Sequence, residues 1–384
     1  MRPSVASARR LVVKVGSALL ADERRGAVRT RWLGALAGDV AGLRAGGAQV
    51  LLVSSGAIAV GRRLLGLERP QLRLEEKQAA AACGQIRLAH AYQEALARHG
   101  ISVAQVLLTL GDTEERRRYL NARGTIETLL RLGAVPVINE NDTVATNEIR
   151  YGDNDRLAAR VAAMVSADTL VLLSNVDGLY TADPAIHPDA RPVPEVRRIT
   201  PEILAMAGEA PPGYSSGGMV TKLEAARVAM GAGCRMVIAD GRKTHALRDI
   251  DRTSRGTWFL PEVSPRAQRK HWIAAALKPA GTLTVDDGAL GALRAGKSLL
   301  PAGVVAVDGA FDRGDAVVVR SRDGRQVARG LVAYAATDAR RIAGHKSREI
   351  QELLGYRGRD EMIHRDDLVV LDGSDEPADP RGRA

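Results

Sequence analysis

The chain of 384 residues carries 55 Lys+Arg against 45 Asp+Glu, a formal charge of +10, with 45% hydrophobic and 26% charged residues. That composition excludes a collagen-like fibre, a coiled coil and a disordered chain, and the length exceeds the ~250–300 residues that one core usually covers, so two domains are expected. No apolar run reaches the ~18–20 residues of a membrane-spanning helix, and the basic N-terminus leads into only Leu11, Val12 and Val13 before Lys14, so the expectation is a cytosolic protein with no membrane partner.

Residues 11–15 (LVVKV) read as a buried strand ending at Gly16. Leu33, Leu36, Ala37, Val40 and Leu43 recur at helical spacing up to Gly46-Gly47. Residues 50–53 form the next strand, followed by Ser54-Ser55-Gly56 and a helix, and an Ala-rich helix spans about 75–98. A strand at 101–109, a helix at about 113–132 and a strand at 135–138 follow. Helices at about 154–165 and 220–232 lead to strands at 169–173 and 235–239. Repeated strand–helix–strand units predict a mostly parallel sheet covered by helices on both faces, with ligands beyond the carboxyl ends of the strands. After residue 280 the pattern changes to short runs between Gly and Asp turns, at 282–285, 304–307, 316–319, 331–333 and 368–371, which predicts a small β-rich domain. The boundaries so read are 8–265 for the catalytic domain, 266–280 for a linker and 281–372 for the second domain; the polar residues 373–384 read as a disordered tail.

The charge is uneven. Residues 281–384 hold 16 basic and 17 acidic groups, so the excess lies wholly in the first 280, where it suits nucleic acid or a small acidic substrate such as ATP. Only 8 lysines stand beside 47 arginines, which directs attention to positions where an ammonium is not replaceable by a guanidinium, such as Lys14 and Lys222. Cys83 and Cys234 have no metal-ligand spacing and read as reduced, packed thiols; the seven histidines form no metal pattern either.

Four turns after strands carry unusual chemistry. Lys14 within an apolar strand is costly to bury without an anion, and Gly16-Ser17 offer backbone N–H groups and a hydroxyl; a lysine reaching solvent is the plainer reading. Ser54-Ser55-Gly56 lets a ligand approach the backbone, although a helix cap explains Ser55 equally well. Asn139-Glu140-Asn141-Asp142, continuing to Asn154-Asp155, combines amides and carboxylates that suit an amino acid, against an alternative of Asx turns and caps. Ser215-Ser216-Gly217-Gly218-Met219-Val220-Thr221-Lys222 opens a helix and places a cation near its start, as a phosphate cradle does, or is simply a Gly-Ser loop. The string 291–298 (GALRAGKS) matches a Walker P-loop by letter, but Pro301 and Gly303 would stop its helix, and Gly213-Tyr214-Ser215-Ser216-Gly217 lacks the strand a hydrolase elbow needs. Both read as chance.

The segments VVKVGSALL (12–20), VSSGAIAVG (53–61), PVINENDTVAT (136–146), GDNDRLAA (152–159), GLYTADP (178–184) and SGGMVTKLEAA (216–226) resemble the amino acid kinase family. GKSLLPAGV, RRIAGHKSREI and HRDD resemble a C-terminal PUA domain. The resemblance covers about residues 8–372 and implies a three-layer αβα sandwich with a mostly parallel central sheet, plus the small β-rich PUA domain. It implies phosphorylation of the L-glutamate γ-carboxylate by ATP with Mg²⁺ held mainly through the phosphates, as the first step of proline synthesis. It places Ser55, Asp142 and Asn154 around glutamate, Lys14 and Lys222 around the transferring phosphoryl group, and Asp155 as organiser of the two lysines. Ser174, Asn175, Ser216, Gly217, Gly218, Met219, Val220, Thr221, Lys222 and Lys14 fall to the nucleotide. Ser174-Asn175 stands where the family usually has Thr-Asp, which removes a carboxylate there. Feedback inhibition by proline and a homodimer or tetramer are further implications. The competing readings are a relative acting on aspartate, N-acetylglutamate, carbamate or a nucleoside monophosphate, and an RNA-binding protein, against which the net −1 of residues 281–384 argues. A carboxylate nucleophile is already ionised near neutrality (pKa ~4.3), so no histidine or cysteine base is required.

Overall fold

The computed structural model describes residues 3–22, 26–67, 69, 71–145, 154–208, 218–275 and 279–371. They divide into two compact units, Met1–Pro265 and Arg266–Ala384. In the first unit the chain runs through β1 (Arg10–Val15), α1 (Ser17–Leu20), β2 (Ala21–Asp22), β3 (Ala27–Val28), α2 (Thr30–Ala45), β4 (Gln49–Ser54), α3 (Ala57–Leu64), α4 (Leu74–Ala97), β5 (Val103–Leu108), α5 (Leu110–Glu114), α6 (Arg116–Arg131) and β6 (Val135–Glu140). It continues through α7 (Asn154–Met164), β7 (Thr169–Ser174), β8 (Leu179–Tyr180), β9 (Pro192–Val193), β10 (Glu195–Val196), α8 (Pro201–Ala205), α9 (Met219–Gly231), β11 (Arg235–Asp240), α10 (Ala246–Thr253) and β12 (Thr257–Phe259).

Eight strands form one sheet in the order β10-β12-β11-β7-β1-β4-β6-β5. From β11 to β5 all neighbours are parallel, while β12 pairs antiparallel with β11. The chain leaves β1 on one side for β4 and returns to its other side for β7, so the strand order reverses around β1. Ligand crevices of doubly wound sheets open at such a reversal. Alternation along the strands decides which side chain meets which helical layer. Leu11, Val13 and Val15 of β1 join the core beneath α2, α3, α4 and α10. Val12 joins the opposite core, beneath α6, α7 and α9. Lys14 follows Val12 by two residues and therefore shares the face of α7 and α9.

The strands are nearly continuous runs of Val, Leu and Ile because both their faces are covered. One expected helix is two. Glu115 is extended (φ −73°, ψ 119°) and separates α5 from α6, and α5 starts in a Thr109–Asp112 capping box, where Thr109 N and Thr109 Oγ1 each donate to Asp112 Oδ2 at 2.7 Å. Strands of two or three residues, such as β8, β9, β10 and β12, are too short to show alternation in sequence.

The second unit contains α11 (Pro265–Ala275), β13 (Gly281–Val285), α12 (Asp287–Arg294), β14 (Val304–Gly309), β15 (Ala316–Ser321), β16 (Gln326–Leu331), α13 (Ala336–Ile342), α14 (Ile350–Leu354) and β17 (Leu368–Val370), with the sheet order β14-β13-β15-β16-β17. The strand expected at 331–333 is instead β16, which ends at Leu331. The stretch read as a linker is helical over Pro265–Ala275, where Ile273 packs on Ala316 and Leu331, and Arg269 pairs with Asp367. Gly291 to Arg294 lie inside α12, so the Walker-like string begins within a helix and is not a P-loop. The elbow-like string at 213–217 and the tail at 373–384 lie outside the described residues.

Candidate active site

Three charged side chains converge where β1, α7 and α9 meet. Lys14 is 7% exposed, Lys222 5% and Asp155 not at all. Lys14 Nζ lies 2.6 Å from Asp155 Oδ1, and Lys222 Nζ lies 3.0 Å from Asp155 Oδ2. Each element contributes its residue for a local reason. Lys14 is the next-to-last residue of β1 and faces the α7/α9 layer by strand alternation. Asp155 stands in the first turn of α7, where the helix dipole favours a carboxylate. Lys222 is in the first turn and a half of α9, on the face it shares with Ala225, Ala226 and Ala229. Burial of Asp155 acts to raise its pKa, and the two ammonium groups outweigh it, so the carboxyl is held below its ordinary 3.8. Among the described residues, two ammonium groups share one buried carboxylate, an arrangement suited to a polyanion.

Beside this triad lies a hydrogen-bonded amide network. Asn154, the first residue of α7, donates from Nδ2 to Ser54 O (2.7 Å), Ser55 Oγ (2.9 Å) and Asn139 Oδ1 (2.9 Å). Asn139, at the buried end of β6, also accepts from its neighbour Glu140 N (2.9 Å) and donates to Gln85 Oε1 of α4 (2.8 Å). Ser55 N in turn donates to Val15 O (3.2 Å), so the ends of β1 and β4 are tied together. Gly56 follows at φ +100°, a left-handed conformation that a side chain would strain, and it turns the chain into α3. Asp142 is in the turn two residues beyond β6. Thus Ser55, Asn154 and Asp142 sit at the carboxyl ends of neighbouring strands β4 and β6.

The residues read for the nucleotide lie toward β7 and α9. Gly218 precedes α9 as its N-cap and its carbonyl accepts from Thr221 Oγ1 at 2.9 Å; Met219 and Val220 follow in the first turn. Ser216 and Gly217 lie outside the described residues. Ser174 ends β7 with its hydroxyl 3.3 Å from Asn175 Oδ1. The carboxylate missing from that pair has a counterpart on the next strand, since Asp240 of β11 is in register with Ser174. The Arg242 side chain, bonded to Asp240 through Nε and a terminal nitrogen at 2.9 Å each, holds the Asp240 carboxyl below its ordinary range. Asp240 and Arg242 were not legible as site neighbours, because only sheet register places them there. Asn139 was read within its amide-rich turn without a role of its own, and Gln85 was missed. Gln85 did leave a signal: it is a polar residue on the α4 face that otherwise buries Ala81, Leu88 and Tyr92.

As to metal, no group of three or more His, Cys, Asp or Glu side chains among the described residues is arranged to hold an ion. Among the described residues, no helix is long and apolar enough to cross a membrane.

Comparison with known proteins adds names to this geometry. The amino acid kinase family matches residues 9–240 and the PUA domain matches 281–354. Glutamate 5-kinase of Paramagnetospirillum magneticum is 64% identical over 366 residues, covering 95% of this chain and 99% of that protein. Glutamate 5-kinase of Rhodospirillum rubrum is 63% identical over 359 residues, covering 94% and 96%. Glutamate 5-kinase of Rhodopseudomonas palustris is 61% identical over 369 residues, covering 96% and 98%.

Proposed function

The chain belongs to the amino acid kinase family, and from that premise we propose that it transfers the γ-phosphoryl group of ATP to the γ-carboxylate of L-glutamate, the first step of proline synthesis. It is a kinase, like its glutamate 5-kinase relatives, and carries a C-terminal PUA domain. The observation that supports the reading best is the Lys14–Asp155–Lys222 triad beside the Asn154 amide network.

The reaction needs alignment and charge neutralisation more than proton transfer. The attacking γ-carboxylate oxygen forms a bond to phosphorus while the bond to the β-phosphate oxygen breaks, and ADP leaves with the electron pair. No proton moves, so no base is required. Lys14 and Lys222 stabilise the negative charge on the phosphoryl oxygens, worth roughly 10²–10³ in rate for one such donor in comparable sites. Asp155 keeps two buried ammonium groups together that would otherwise repel. Ser55, Asp142 and Asn154 hold the amino acid, and Gly218, Met219, Val220 and Thr221, with Ser174 and Asn175, border the nucleotide; Ser216 and Gly217 complete that loop in sequence. The two ammonium groups suit a polyphosphate, and Mg²⁺ bound on those phosphates would supply further neutralisation. The same reading makes proline, the end product, a feedback inhibitor, and includes a homodimer or tetramer and a cytoplasmic location. RNA binding by the PUA domain is not part of it.

The test is ADP formation by the purified full-length chain with ATP, Mg²⁺ and L-glutamate, with the acyl phosphate trapped by hydroxylamine. Turnover that depends on L-glutamate supports the reading. Turnover only with aspartate, N-acetylglutamate, carbamate or a nucleoside monophosphate would replace it by a related phosphotransferase.

A further inference from the structure

The amide network has a direction that two backbone groups settle. Glu140 N–H can only donate, so the Asn139 atom 2.9 Å from it is the oxygen. Ser54 C=O can only accept, so the Asn154 atom 2.7 Å from it is the nitrogen. The remaining Asn139 atom is therefore the amide nitrogen, and it donates to Gln85 Oε1 at 2.8 Å. The hydrogens of Asn154 are committed to protein acceptors. What Asn154 has left for a ligand is its oxygen, an acceptor.

Gln85 is the far end of this chain of hydrogen bonds, linked to Asn154 through Asn139. It is 9% exposed and Asn139 3%, so water is a poor substitute for either partner. An apolar side chain would suit the surrounding α4 face, where Ala81, Leu88 and Tyr92 are buried. Packing therefore does not call for a glutamine here, whereas the Asn139 donor does. Without that acceptor an Asn139 N–H is left buried and unpaired, and the amide, still held at its oxygen by Glu140 N–H, tilts toward another partner and draws Asn154 out of place.

We propose that Gln85 is a positioning residue for the amino acid substrate: Glu140 N–H and Ser54 C=O set which way the Asn139 and Asn154 amides face, and Gln85, by accepting from Asn139, holds them at the position that offers the Asn154 oxygen to the substrate's ammonium group. This rests on the glutamate reading above and deepens it, since it assigns the contact that distinguishes an α-amino dicarboxylate from the same dicarboxylate without nitrogen. The recognition it describes is acceptor-to-cation, which is stronger than a hydrogen bond between neutral groups.

The experiment compares the full-length wild type with Gln85→Met, Gln85→Ala and Gln85→Glu, using L-glutamate, glutarate and ATP as varied substrates. Met conserves volume and Ala reduces it, and both remove the acceptor, so either soluble protein gives the reading. Both should raise the KM for L-glutamate about tenfold, the worth of a hydrogen bond to a charged group, and cut the preference for L-glutamate over glutarate to match, with the KM for ATP unchanged. Gln85→Glu keeps an acceptor oxygen and should retain the preference. A lowered melting temperature with wild-type KM and wild-type preference would reduce Gln85 to a packing residue and overturn the inference, as would a parallel loss of ATP affinity. Absence of glutamate-dependent turnover in the unmutated chain is a separate result, overturning the functional reading and this inference with it.

Discussion

At the scale of single residues, the proposed chemistry turns on how Asp155 is shared between Lys14 and Lys222. Lys14→Met or Lys222→Met leaves the carboxylate with one ammonium partner, so the fold should persist. Each should still lower kcat by at least ~10²-fold, because one stabilising charge at the phosphoryl oxygens is gone. Near-normal turnover in either variant, measured as glutamate-dependent ADP release, would remove the catalytic role. Asp155→Asn is expected to behave differently, since it removes the carboxylate that both buried ammonium groups share; removing one partner of a buried pair costs about 3–5 kcal/mol. The stability difference between wild type and Asp155→Asn also depends on pH. The folded carboxyl titrates below its ordinary 3.8, so its contribution is fully present above that value and is lost as pH falls through the folded value. Denaturant titrations should therefore show a constant gap between the two proteins from pH 7 to about 5, closing in stronger acid. A gap that widens on acidification would contradict the charge assignment. On the substrate side, Asp142→Ala and Asn154→Ala should raise the KM for glutamate and leave that for ATP nearly unchanged; the reverse pattern would exchange the two halves of the site.

At the scale of elements, the site depends on how closely α3 and α4 approach. A Cβ at Gly61 would stand 1.7 Å from Ala80 O, and one at Gly84 would stand 1.9 Å from Ala57 O, so neither helix tolerates a side chain at the crossing. The contact is backbone against backbone and cannot be relieved by a rotamer change. It fixes α3, whose start follows Ser55 and Gly56, against the helix that carries Gln85. Gly84→Ala is therefore expected to destabilise by about 1–3 kcal/mol, as overpacked sites do. It should also raise the KM for glutamate, because Ser55 moves with α3. Thermal unfolding and substrate titration on the same protein check both parts; a variant with unchanged melting temperature would show that the helices separate without strain. This constraint was invisible in the Ala-rich helical pattern, where Gly61 and Gly84 look like ordinary weak points of a helix.

At the scale of the whole molecule, the described residues to which we assign catalysis belong to the unit that ends at Pro265. Trp258 and Phe259, which border that end in sequence, are buried in the two cores of the first unit, and Arg235 lies over the Trp258 ring at 5.9 Å. Gly233, at φ +76°, leaves room for the backbone of Ser264 and Pro265, which a Cβ would approach to 2.6 Å. A chain ending at Pro265 keeps these contacts and a complete set of sheet strands. It should fold and retain glutamate-dependent ATP consumption, with regulation or assembly altered. A soluble, folded truncation without activity would show that the second unit completes the site.

The sequence by itself determined the α/β architecture, because buried parallel strands must be continuous apolar runs and helices must show their own period. It also drew attention to Lys14, a charge inside an apolar strand, and to Lys222, one of only 8 lysines and placed after a small-residue loop, while the family resemblance added Asp155. What it did not contain is the distance between them: 67 residues separate Asp155 from Lys222, whose Nζ lies 3.0 Å from Asp155 Oδ2. Only the crossing of β1, α7 and α9 at one end of the sheet decides that one carboxylate serves both lysines. The same holds for Gln85 and Asn139, 54 residues apart, and for Asp240 beside Ser174, which are neighbours only through strand register. Local pattern reports which face a side chain occupies. Which other side chain it meets there is decided by strand order and helix crossing, and these are properties of the assembled fold.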